Sequence, residues 1–105
     1  MRFSEINAKG LSKYWVAASL DPHKLRIHIT EVEPGGRSHG AHTHAGVEVF
    51  YVLEGQATVE VEGELYTLDQ NQALALDAGR PHGIFNGSSA RVRYMVIIAQ
   101  QSEQP

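Results

Sequence analysis

The chain has 105 residues, 42% of them apolar and 20% charged, no cysteine, and a formal net charge of -3. That length fits one domain, and a fold this small hides only roughly 60 to 70% of the surface its unfolded chain exposes, so its core needs tight packing or a partner subunit. With no thiol, disulfides, cysteine nucleophiles, Cys-ligated zinc and iron–sulfur clusters are excluded, and the six histidines are the soft nitrogen ligands on offer.

Nine Lys+Arg stand against twelve Asp+Glu with no basic run, so the electrostatic footprint of a nucleic-acid or anionic-membrane binder is missing. No stretch approaches the roughly 20 apolar residues of a membrane span, and MRFSEINAKG lacks the apolar core of a secretory signal. A cytoplasmic protein is expected.

In chain order, residues 1–24 read as an N-terminal strand or arm, with a helical turn conceivable only over residues 3–9. His23 follows Asp-Pro and is expected in an exposed turn. Segment 25–32, LRIHITEV, alternates Leu25, Ile27 and Ile29 with Arg26, His28 and Thr30, which is the period of a strand. Residues 48–54 are apolar on both faces, and Gly55 breaks them. Ala57, Val59 and Val61 then alternate with Thr58, Glu60 and Glu62 before Gly63 turns a hairpin into 65–68. Further strands are expected at 73–76, 82–85 and 91–99, and the tail QQSEQP is polar enough to fray.

Short strands at turn-rich spacing, without internal repeats, predict an all-β sandwich or barrel of antiparallel strands. The last strand carries Val92, Tyr94, Val96 and Ile98 on one side and Met95 and Ile97 on the other. A strand apolar on both faces in so small a protein predicts a second subunit over the outer face, hence a homodimer; the alternative is an N-terminal segment folded over that face.

The chemistry concentrates in GRSHGAHTHAGVEVFYVLEG. On an extended segment His42 and His44 project from one face, about 6.5 to 7 Å apart along the backbone, and can converge on one ion. Glu48 shares their parity and adds a hard oxygen to two nitrogens, an environment suited to Fe, Mn, Ni, Co, Zn or Cu as divalent ions. Two plainer readings compete: a solvated loop with accidental histidines, and a helical i, i+4 pair of His44 and Glu48, which Gly46 and the β-branched Val47 and Val49 disfavour.

These residues resemble the cupin superfamily. Its first motif, G-x5-H-x-H-x3-E-x6-G, is met by Gly36, His42, His44, Glu48 and Gly55. Of its second, G-x5-P-x-G-x2-H-x3-N, Gly79, His82 and Asn86 fit, while Asn71 stands at a usual Gly and Asp77 at a usual Pro. Both departures concern turn geometry, since Asn tolerates left-handed backbone and Asp lacks only proline's φ restraint. The resemblance covers roughly residues 25–99 and implies a small single-domain cupin, an antiparallel double-stranded β-helix or jelly-roll barrel. It also implies a divalent transition metal on His42, His44, Glu48 and His82, with open coordination positions for a small-molecule ligand or substrate. A closed four-ligand zinc site and a metal-free barrel are the alternatives.

His28, opposite Leu25, Ile27 and Ile29, could line the cavity as an acid/base group or stand exposed between Arg26 and Thr30. Phe50 and Val52 share the parity of Glu48 and are expected as cavity wall or ordinary core. Tyr94 and Val96 are expected to do so from the last strand, and the Tyr94 hydroxyl wants a partner if buried. Trp15 is a further candidate for the pocket lining, and Arg37 or Arg80 could pair with a substrate carboxylate at the barrel mouth. His39 is expected on the loop surface. Three functions follow: a dioxygenase-like metalloenzyme on a chelating enol, diketone or catechol-like substrate, a non-redox isomerase or lyase on a sugar or uronate, and a module that only binds a small ligand.

Overall fold

The computed structural model describes residues 1–37 and 40–100, and among them it forms nine strands and no helix. Two short strands, β1 (Phe3–Glu5) and β2 (Trp15–Ala17), make an N-terminal ribbon. Then follow β3 (Leu25–Val32), β4 (Val47–Glu54), β5 (Ala57–Val61), β6 (Glu64–Leu68), β7 (Ala73–Asp77), β8 (His82–Phe85) and β9 (Val92–Ala99). His39 and residues 101–105, expected as loop surface and frayed tail, lie outside the described residues.

Pairing is antiparallel throughout these strands, in a four-stranded sheet ordered β3-β9-β4-β7 and a three-stranded sheet ordered β6-β5-β8. The two sheets share one core, drawn from Phe50, Val52, Val92, Tyr94 and Val96 on one side and Ala57, Val59, Leu68 and Ile84 on the other. The chain is an all-β jelly roll in a single domain. Most expected strands are present, and their ends differ by a residue or so because ladder pairing reaches past the apolar pattern: Val47 joins β4 by pairing Asp77 and Ala99.

The expectation of a helical turn over residues 3–9 is wrong. Phe3, Ser4 and Glu5 pair with Ala17, Val16 and Trp15, which satisfies backbone groups that so short a helix would leave open. The β5–β6 hairpin turns on Glu62 and Gly63, both at positive φ (50° and 83°), as a twisted two-residue hairpin loop requires. Asn71 does occupy the left-handed region, at φ 65°. Asp77, at the usual proline position, closes its turn differently: its carboxylate accepts from the Gly79 N–H at 2.9 Å.

Inward residues of the large sheet are Glu48, Phe50 and Val52 with Tyr94 and Val96. The outward face carries Val49, Tyr51, Met95 and Ile97, all half-buried within the chain. The edge of β3 is met by the N-terminal segment, whose Lys9 carbonyl accepts from the Ile29 N–H at 2.8 Å.

Candidate metal centre

The segment before β4 runs extended beside β8. His42 and His82 form an antiparallel bridge, and one step on, the His44 N–H donates to the Ala78 carbonyl at 2.9 Å. Gly46 then lets the chain turn into β4: it sits at φ +100°, and a Cβ there would lie 2.5 Å from the Ala99 carbonyl oxygen. The first inward residue of β4 is Glu48, 3% exposed, and the first residue of β8 is His82, fully buried.

One ligand atom from each of His42, His44, Glu48 and His82 falls within 4.8 Å of all the others. The set spelled by local spacing and the histidine supplied by the second motif therefore meet at one point. His42 stacks on His44 with ring centroids 5.3 Å apart, and His82 lies 4.6 Å from His42.

The donor set fits a cation. Carbonyl oxygens only accept, so each histidine must carry its proton on Nδ1: His82 donates to the Arg80 carbonyl at 2.7 Å, His44 to Ala45 at 3.1 Å and His42 to Gly40 at 3.3 Å. This is how backbone partners fix the tautomer of metal-binding imidazoles. Oxygen Oε1 of Glu48 lies 2.7 Å from His44 Nε2 and 3.3 Å from His82 Nε2. With Nδ1 protonated, the Nε2 atoms of His44 and His82 are lone pairs facing that carboxylate, a contact that a shared positive ion resolves. One divalent ion between them satisfies all four donors. Three nitrogens and one oxygen suit Fe, Mn, Co, Ni, Cu or Zn.

Beside these donors lies a cavity of about 200 Å³. Its wall includes His42, Glu48, Phe50, Tyr94 and Val96 from the expected set, together with His28. The strand face bearing His28 and Thr30 does line the cavity. Val52 is fully buried core, and the Tyr94 ring meets Phe50 edge-on at 6.1 Å. Trp15 is not part of this wall: it is 61% exposed and borders a separate hollow with Phe3, Tyr14 and Leu20, because its strand belongs to the ribbon outside the barrel.

Arg37 and Arg80 are engaged elsewhere. Arg37 lies over the Phe85 ring at 4.9 Å and 3.6 Å from Glu60, while Arg80 pairs with Glu62 at 3.1 Å. The cation at the cavity wall is Lys9, which sequence reasoning missed along with Thr30, Ile84 and Ile98. Thr30 shares the parity of His28 and was within reach of that reasoning. For Lys9 the available signal was Gly10 beside it, a residue that marks close backbone approach. His23 is exposed as expected, and its backbone N–H donates to Asp21 at 2.9 Å, which holds the Asp21 carboxyl below the usual carboxylate range.

A family model for the cupin domain matches residues 28–98. The chain belongs to the cupin family. Among curated proteins it is similar to the HTH-type transcriptional regulator PuuR of Escherichia coli (strain K12), 28% identical over 89 residues. That alignment covers 85% of this cupin and 48% of the regulator, so the chain spans about half the length of the curated relatives it matches. Among solved structures, the cupin domain of an XRE family transcriptional regulator from Enterobacter cloacae superposes with a TM-score of 0.68 at 25% identity, over 75% of this chain and 84% of that one. A sugar phosphate isomerase of the cupin superfamily from Silicibacter pomeroyi gives 0.66 at 21% identity, over 74% and 52%, a likeness of fold alone.

Proposed function

We propose that this cupin holds a divalent transition metal on His42, His44, Glu48 and His82 and acts on a small oxygen-bearing molecule, with His28 moving a proton. The observation that carries the reading is the meeting of the four side chains: one ligand atom from each lies within 4.8 Å of the others, each histidine's Nδ1 rests against a backbone carbonyl, and the cavity beside them is also lined by His28. When bound, the ion would polarise a substrate oxygen as a Lewis acid. The protein supplies the rest. His28 accepts or returns a proton, Tyr94 offers a hydroxyl, and Phe50, Ile84 and Val96 keep the wall apolar.

An acid/base group in the cavity wall favours isomerase or lyase chemistry on a sugar acid or related carbonyl compound over the dioxygenase-like alternative, which the ligand set also permits. The test is incubation of metal-loaded protein with ring-opening uronates in D₂O. Deuterium incorporation next to the substrate carbonyl, lost in His28→Gln, supports the reading. Oxygen uptake by the iron-loaded protein on a chelating enol, without deuterium exchange, would put the dioxygenase-like chemistry in its place.

A second reading, a ligand-sensing domain, is favoured by the similarity to proteins named as transcriptional regulators. On that reading a small molecule binds saturably at the metal without turnover. In either case we propose no direct contact with nucleic acid or membrane, since acidic residues outnumber basic ones, and a cytoplasmic location. We also propose a homodimer through the outer face of the large sheet, supported by the half-buried outward residues Met95 and Tyr51 and the row Ile27, Ile97 and Val49. Light scattering should then report twice the chain's 11.6 kDa, whereas a single-chain mass contradicts it.

A further inference from the structure

We propose that Lys9 is an anion-recognising residue of the cavity, delivered by the N-terminal arm, and that with Thr30 it selects a small carboxylic acid carrying a second oxygen donor. The inference deepens the metal reading above and rests on it for the second donor's partner.

Lys9 is exposed, but its Nζ donates to the hydroxyl of Thr30 at 3.3 Å, and Thr30 is 4% exposed. Both residues line the cavity that holds Glu48 and His42. The ammonium has three donors and uses one on Thr30, while the Thr30 hydroxyl, having accepted, keeps its own proton to donate. Two adjacent donors, one charged, match the two oxygens of a carboxylate.

The placement is built into the backbone. The Lys9 carbonyl takes the Ile29 N–H at 2.8 Å on the free edge of β3. The next residue, Gly10, lies at φ +79°, and a Cβ there would sit 2.6 Å from the Ile29 carbonyl oxygen, so only glycine allows this approach. The arm is thereby seated one residue from Thr30. A hollow of about 590 Å³ between arm and barrel shares Lys9 and His28 as its border with the cavity, giving a ligand an approach to both.

Charge points the same way. A divalent ion against one carboxylate leaves the site one positive charge in excess, and Lys9 makes it two, so a neutral ligand would leave the cavity uncompensated. The arginines that flank the two motifs in sequence are already occupied by Glu60 and Glu62.

Calorimetry of manganese-loaded protein with pyruvate and with its neutral isostere pyruvamide tests the proposal, metal content being measured on the same samples. Wild type should bind pyruvate about tenfold or more tightly than pyruvamide, the scale of one charge-assisted hydrogen bond. Lys9→Met should lose about tenfold for pyruvate and clearly less for pyruvamide, with metal content unchanged, and Lys9→Arg should recover most of the loss. Gly10→Ala, which displaces the arm, should mimic Lys9→Met. Equal affinity of wild type for the two probes, or wild-type pyruvate affinity in metal-loaded Lys9→Met, overturns the proposal. Should wild type take up no metal, the metal reading falls by itself, and pyruvate is titrated into ion-free protein while the Gly10 and Thr30 amide resonances are followed. Saturable shifts that vanish in Lys9→Met then support the anion site, and their absence in wild type overturns it.

Discussion

The backbones of His42 and His82 pair in both directions, His42 N–H donating to the His82 carbonyl at 2.9 Å and His82 N–H to the His42 carbonyl at 3.0 Å. A loop residue from the first motif and a strand residue from the second are thus joined by main chain before any side chain meets an ion. The ladder holds the imidazoles close enough that little reorganisation is needed to bind one, which raises affinity by lowering the ordering cost.

A metal bound there would be a stabiliser as well as a cofactor. An ion that binds only the folded chain adds about 2.7 kcal/mol at a hundred times its dissociation constant. For a domain of this size each kcal/mol is worth about 4–8 °C. A chelator should therefore lower the melting temperature by on the order of 10 °C, read by calorimetry, and readdition of the ion should restore it. An unchanged curve contradicts an occupied site.

His28 shares the cavity wall with two of the proposed ligands, His42 and Glu48, but is not in the cluster itself. Its role should separate from metal binding: His28→Gln should keep full metal content while turnover falls by about 10²- to 10⁴-fold, the usual contribution of a positioned acid or base. Loss of the metal in this variant would instead make His28 part of the coordination set.

Asn86 belongs to the same motif as His82 yet does structural work. Fully buried, it donates to the Val32 and Ala90 carbonyls at 2.9 and 2.7 Å and accepts from the Ser88 backbone and hydroxyl. Asn86→Ala would strand these partners and should cost on the order of 2–4 kcal/mol, measured by urea unfolding. Folded variant protein should still bind metal; loss of binding without loss of stability would assign Asn86 to the site.

Which parts of this were legible in the sequence follows from how local their causes are. β3 could be bounded because period-two alternation and flanking breakers sit in the strand itself, and β8 because Pro81 and Asn86-Gly87 bracket it. The His42, His44 and Glu48 grouping was legible from parity, whereas His82 needed the resemblance, since its arrival depends on cross-chain pairing. Asp77 shows the reverse: the departure from proline looked like a loss, and its side chain turns out to close the turn on Gly79. The expected N-terminal strand or arm could not be divided into the paired strands β1 and β2, because strands this short carry almost no pattern. Lys9 was missed because its position is set by one edge hydrogen bond to Ile29, a tertiary fact with no periodic trace.

The most direct test of the account is the metal content of dialysed wild type, His42→Ala and His82→Ala by elemental analysis. Wild type should carry one divalent transition ion per chain and both variants close to none. Metal retained at the wild-type level in folded His42→Ala and His82→Ala protein would contradict the assignment of the site.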